Sequence, residues 1–247
     1  LNFVVADTTG NFAWWVTGAL PLRPEGVGTV PHVVTDGRDT WQGWVPFEEK
    51  PHLVNPARGW LGTCNHAIVT RDLPYYFSSY FSPSFRYRRL KELMERSGRL
   101  TADDHWRFQR DTRNLMAVQL APVMAGALKA HNDTRRLGEI LAAWDCNDDI
   151  DQAAPTIFQA VFVKFAFEVF EDELGADAAK CYLDNWYIWE ERLLAMALDG
   201  ESDWFDDQRT KGVRETRDDL FHRAALFAAA ELTERLGDDP EGWHWGR

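Results

Sequence analysis

No apolar run in this chain reaches the roughly 18 residues that a membrane-spanning helix needs. The opening Leu1-Asn2-Phe3-Val4-Val5 also lacks the basic, apolar and small-residue order of an export signal. Positive charge is short: 27 Lys and Arg against 39 Asp and Glu leave a formal charge of −12, with no basic block to overcome it. Such a surface repels a phosphate backbone, so nucleic acid is not an expected partner. The three cysteines, Cys64, Cys146 and Cys181, are odd in number and far apart, which excludes a disulfide framework and CxxC metal spacing and leaves the redox compartment open. The seven histidines stand singly, with no HExxH or HxH, so zinc ligands would have to come from distant segments.

The usual nucleophile signatures are missing as well. There is no GxSxG and no Gly-rich phosphate loop before a helix, and residue 1 is Leu rather than Ser, Thr or Cys. Cys64, beside Asn65 and His66, suggests a thiol nucleophile. On an extended strand, adjacent residues point to opposite faces, so Cys64 and His66 are expected to flank Asn65 without touching, and a small buried thiol is the plainer reading. A cysteine hydrolase built on Cys64 stays as a rival.

What is abundant is aromatic mass, 12 Trp and 15 Phe, and a hydrophobic fraction of 45% that can fill a core. The composition changes along the chain. Residues 1–75 hold eight of the 17 glycines and seven of the 11 prolines, Pro24, Gly26 and Pro31 among them, and read as a strand and loop segment. Phe3–Asp7 and Phe12–Val16 flank Thr8-Thr9-Gly10-Asn11 as a hairpin, which is marginal alone and so belongs to a larger sheet. Residues 76–247 read as a helical region, with helices expected over 85–97, 102–129, 133–144, 153–173, 177–198 and 210–236. Gly98 closes the first of these, and Thr101 caps the next, followed by the acids Asp103 and Asp104. The tail Gly242-Trp243-His244-Trp245-Gly246-Arg247 leaves two tryptophans with nothing following to cover them, and like the abrupt strand at Leu1 it reads as a cut end.

One ordered string is more specific than any of this. Trp41-Gln42-Gly43-Trp44-Val45-Pro46-Phe47-Glu48-Glu49-Lys50-Pro51 is followed by Asn55-Pro56-Ala57-Arg58-Gly59-Trp60-Leu61-Gly62-Thr63-Cys64-Asn65. It fills W-x-G-x-x-P-F-E-x-x-P and then N-P-x-x-G-x-x-x-x-x-N, and resembles the penicillin acylase family of N-terminal nucleophile hydrolases. Val5-Ala6-Asp7 with Gly10-Asn11, Gly18 to Arg23, Tyr75-Tyr76, Phe85-Arg86, Leu100 to Asp104, Gln109 with Asp111, Leu141 to Asp145 and the final W-x-W-G extend the likeness over nearly the whole chain.

The resemblance implies an α+β, mainly helical fold: N-terminal strands of an αββα N-terminal nucleophile hydrolase core, then a long helical region. It implies a carbon–nitrogen amidase acting on a β-lactam side-chain amide or an N-acyl homoserine lactone. The nucleophile would be a serine exposed when a precursor cuts itself, with its own α-amine as base, and that serine is not among these residues. Asn65 is implied as the side-chain donor of the oxyanion site; by residue type alone it reads instead as a strand-end asparagine serving backbone groups. Arg86 aligns with an arginine near the nucleophile's amine, though Arg88 and Arg89 leave the register open. The implied partners are the remainder of the precursor, its α-chain and the N-terminal part of the β-chain, and a small amide substrate. No cofactor is expected within this chain. Calcium is implied only for the intact enzyme, and Asp72, the one acid near Asn65, matches a ligand poorly. A periplasmic or extracellular location follows from the family alone. The alternatives are a stand-alone helical binding or assembly module, or a decayed, non-catalytic homologue.

Overall fold

In the computed structural model, which describes residues 1–23, 28, 37, 40–69, 72–96 and 98–246, the first turn is built on Asp7. Its carboxylate accepts the backbone N–H of Thr9 and of Asn11, the Thr9 hydroxyl and the Asn11 side-chain amide, all at 2.8–2.9 Å. Those donors, the Asn11 amide first, hold the acid down to about 2. Gly10 takes the φ of 92° that the reversal needs. The strands on either side, β1 (Asn2–Ala6) and β2 (Phe12–Val16), form the expected hairpin and pair antiparallel; Asn2 stands opposite Val16. A third strand, β3 (His52–Val54), which composition does not single out, pairs with the other edge of β2. The loop signals at Pro24, Gly26 and Pro31 lie outside the described residues.

The chain divides into two compact units, residues 1–98 and 99–247. The first unit contains the sheet and α1 (Phe85–Arg96), so the change in composition near residue 75 and the boundary between units are different features. Its burial is uneven: Trp14, Val16, Val45 and Trp60 are buried, whereas every residue of β1 is exposed.

The second unit is all helix: α2 (Ala102–Phe108), α3 (Leu115–Lys129), α4 (Arg135–Ala143), α5 (Ala154–Leu174), α6 (Ala176–Leu183), α7 (Trp186–Asp199) and α8 (Arg217–Leu236). Helix α5 is its axis, packing on α8 and α6. Ile157, Phe158, Val161, Phe162, Phe165 and Ala166 repeat at helical spacing and are wholly buried, with Phe165 stacked on Phe221 of α8 at 4.1 Å. Helices α3 and α4 pack closely because Gly138 has no side chain; a Cβ there would stand 2.9 Å from the Ala125 carbonyl.

Three helix expectations need correction. The helix expected over 102–129 breaks at 109–114, where Arg113 bridges to Asn147 and the backbone of Thr112 and Asn114 bonds to Asp148 and Cys146. Those partners take groups a continuous helix would use, and Asn114 then caps α3 by accepting the Ala117 N–H. The helix expected over 177–198 stops at Leu183, whose carbonyl accepts the Trp189 indole N–H, and restarts at Trp186. The last helix begins at Arg217 rather than near 210, behind a Thr216–Asp219 capping box matching that of Thr101 and Asp104. The terminal tryptophans also differ from expectation: Trp243 is buried by its own chain and donates to the Gly237 carbonyl, and Trp245 is half exposed.

Burial of Glu190 on α7, reinforced by Glu191, pushes its carboxyl up to about 7. A folded-state value above the ordinary 4.5 means that ionisation above pH 7 costs stability, and that the cost disappears as the pH falls through 4.5. Glu190→Gln is therefore expected to raise the urea midpoint at pH 8 and to leave it unchanged at pH 4. Equal midpoint gains at both values would contradict this origin.

Candidate functional site

The ordered string from Trp41 to Asn65 folds as a series of reversals, and its fixed residues supply them. Gly43, Asn55, Gly59 and Asn65 have φ of 130°, 45°, 75° and 61°. Glycine enters this region freely, and asparagine more readily than other side chains. Between them, Pro46 leads a short 3-10 turn at Phe47–Glu49, and Asn55 ties the end of β3 to the hairpin by accepting the Phe12 N–H and donating to Asn11. The Lys50 ammonium donates to the Gly18 carbonyl and the Tyr75 hydroxyl to that of Glu49, anchoring the loop on both sides.

Asn65 sits at an exposed bend rather than on the extended strand expected from sequence. Its backbone carbonyl accepts the Ser82 N–H at 2.8 Å. Its side-chain Oδ1 accepts from Arg86 Nη2 at 3.1 Å, and the same nitrogen reaches the Cys64 carbonyl at 2.8 Å and Ser82 Oγ at 3.2 Å. A guanidinium can only donate, so the carboxamide oxygen must face Arg86 and the NH2 group must face away. Among the described residues nothing accepts from that NH2 group. The result is an exposed neutral donor whose orientation is fixed from behind by a cation.

Of the neighbouring arginines, Arg88 lies over the Phe85 ring and Arg89 pairs with Glu92, whereas Arg86 reaches the Asn65 loop. Sequence reasoning missed Ser82, which is buried and meets both Asn65 and Arg86; its only signal was a position four residues before Arg86.

Cys64 and His66 do not simply flank Asn65. The Cys64 N–H donates to His66 Nδ1 at 3.4 Å, because the positive φ of Asn65 curls the chain back on itself. The ring of His66 lies flat on Tyr87, with centroids 3.7 Å apart and planes 11° apart. Burial pushes the Cys64 thiol up, with Arg86 opposing, which disfavours the thiolate a cysteine nucleophile requires. Burial, then Arg58 and Arg86, hold His66 below its ordinary value. A cleft of about 170 Å³ lined by Trp14, Leu53, Leu61, His66 and Tyr87 adjoins the loop. Ligand pockets run to roughly 300–1,000 Å³, so these residues do not form a complete substrate site.

Among the described residues no group of three or more His, Cys, Asp or Glu is placed to hold a metal ion, and Asp72 is exposed. Among the described residues no helix is long and apolar enough to cross a membrane.

The family model described as penicillin amidase matches residues 1–247. Acyl-homoserine lactone acylase QuiP of Pseudomonas fluorescens is 29% identical over 268 residues, covering 100% of this chain and 32% of that protein. Penicillin G acylase of Escherichia coli is 31% identical over 160 residues, covering 60% of this chain and 19% of that one. Penicillin acylase 2 proenzyme of a Pseudomonas species is 28% identical over 160 residues, covering 64% and 21%. The chain thus spans about a third or less of the length of these relatives. In structure it is similar to a thermostable penicillin G acylase of Alcaligenes faecalis, with a TM-score of 0.69, 18% identity, and coverage of 98% of this chain and 48% of that one. A mainly helical α+β chain with a small N-terminal antiparallel sheet, matched over its full length, belongs to the penicillin amidase family.

Proposed function

We propose that this chain supplies the side-chain half of the oxyanion site of an amidase, and that the nucleophile is an N-terminal serine contributed from outside residues 1–247. The observation that carries the reading is the Asn65 carboxamide, whose oxygen is held by Arg86 while its NH2 group is left exposed and unclaimed among the described residues. The serine hydroxyl attacks the amide carbon and its α-amine takes the proton, which suits a group with a pKa near neutrality. The carbonyl π electrons move to oxygen, and Asn65 Nδ2–H donates to that oxygen as its charge grows. Collapse expels the amine with the proton from the α-amine, and water cleaves the ester through a second oxyanion held by the same donor.

An amide donor fits because it carries no charge that a carboxylate nearby could neutralise. Arg86 adds to it by drawing electron density from Oδ1, which makes the opposite N–H a better donor. The names of the relatives, an acyl-homoserine lactone acylase and a penicillin G acylase, support a substrate of the N-acyl homoserine lactone or β-lactam side-chain amide kind.

Turnover of one substrate of each kind tests this, measured as released amine with the full-length protein and with residues 1–247 alone. The full-length protein is expected to turn over at least one of them and the isolated residues neither. Turnover by residues 1–247 would place the nucleophile inside this chain and overturn the proposal.

A further inference from the structure

His66 is unexplained by the chemistry above, yet it touches the Asn65 bend more closely than the sequence suggests. A left-handed backbone costs an L-residue roughly 1–2 kcal/mol, although asparagine tolerates it better than most, and such a conformation persists where surrounding bonds over-determine it. Two of those bonds come from Arg86 and Ser82. The third spans the bend itself, from the Cys64 N–H to His66 Nδ1. To accept it, Nδ1 must carry a lone pair, so the ring is neutral with its proton on Nε2.

The same ring is fastened to α1. It lies on Tyr87, next in sequence to Arg86; the Tyr87 hydroxyl accepts from Arg58 Nη1 at 3.0 Å. Arg58 in turn lies over the Trp60 ring at 4.1 Å and donates its Nε–H to the Trp60 carbonyl. The helix that supplies Arg86 is thereby clamped to the loop that supplies Asn65. Protonation would undo this twice over: Nδ1 would become a donor facing a donor, and a new cation would stand near Arg58 and Arg86. The Cys64 thiol, pushed up by burial, supplies no negative charge to compensate.

We propose that His66 is a positioning residue whose neutral imidazole latches the Asn65 bend to α1, and whose protonation releases the oxyanion donor. This rests on Asn65 being that donor. It acts on kcat through geometry, since a displacement of about 1 Å at a catalytic group costs up to roughly 10²-fold in rate.

The test uses the full-length protein and three variants, with steady-state kinetics from pH 4.5 to 8. His66→Phe keeps the stacking and removes the acceptor; His66→Asn places a neutral, non-titrating oxygen close to the position of Nδ1. We expect His66→Phe to lose about tenfold or more in kcat with KM little changed, and His66→Asn to recover most of it. The wild-type acid limb should steepen at low pH as a second group protonates, and that of His66→Asn should not. Full kcat in His66→Phe, or His66→Asn as slow as His66→Phe, would overturn the latch. Asn65→Ala is the third variant: full activity there would remove the oxyanion assignment itself, whereas its loss alongside unaffected His66 variants would remove the latch alone.

Discussion

Replacing Asn65 with alanine in the full-length protein is expected to lower kcat by roughly 10²–10³, with KM changed far less, as for other oxyanion donors. The reason lies in when the bond is made. The ground-state amide oxygen is neutral and gains little from an exposed N–H. The tetrahedral oxyanion gains much more, and the donor is already oriented by Arg86, so no reorganisation is needed at the moment of reaction. Asn65→Asp should be at least as damaging, because a carboxylate would have its second oxygen where the NH2 group stood and would repel the developing charge. Equal falls in kcat and kcat/KM would place the loss in the transition state. A rise in KM alone would make Asn65 a binding residue.

Arg86 is expected to give the second largest effect, a loss of about 10–10²-fold in kcat for Arg86→Met. One nitrogen reaches the Cys64 carbonyl, Asn65 Oδ1 and Ser82 Oγ, so its removal frees the carboxamide to turn over and unties the bend on one side. Arg86→Lys should not rescue: the lysine ammonium ends one atom short of Nη2, and contacts of about 3 Å do not survive a gap of a bond length. If Arg86 also stands near the nucleophile's amine, as the resemblance implies, its charge holds that amine's pKa down. Its removal would raise the amine pKa, and since only the free amine accepts the serine's proton, the acid limb of the kcat profile would move to higher pH. An unmoved limb with reduced kcat would leave Arg86 only its role in orienting Asn65.

The sequence shows the hairpin because its turn chemistry is local: Asp7, Gly10 and Asn11 act within five residues. Helix starts are equally local: Thr101 and Thr216 share the Thr-x-x-Asp spacing that closes a capping box. The break at 109–114 was not legible, because it depends on pairing with Asn147, a contact that no short window contains. For the site, the ordered motif and the family it resembles named Asn65 and Arg86, but the choice among Arg86, Arg88 and Arg89 needed geometry. The His66 contact was hidden by an assumed extended backbone. A single residue at φ 61° reversed which neighbours touch.

The central claim is that the Asn65 carboxamide donates to the reaction's oxyanion. A crystal structure of the full-length protein with a boronate or phosphonate transition-state analogue on its nucleophile tests it most directly. The tetrahedral oxygen should lie about 2.7–3.1 Å from Asn65 Nδ2, with Arg86 still on Oδ1. An oxygen more than about 4 Å from Nδ2 would be beyond hydrogen-bond reach and would contradict the claim, as would a carboxamide turned so that Oδ1 faces the analogue.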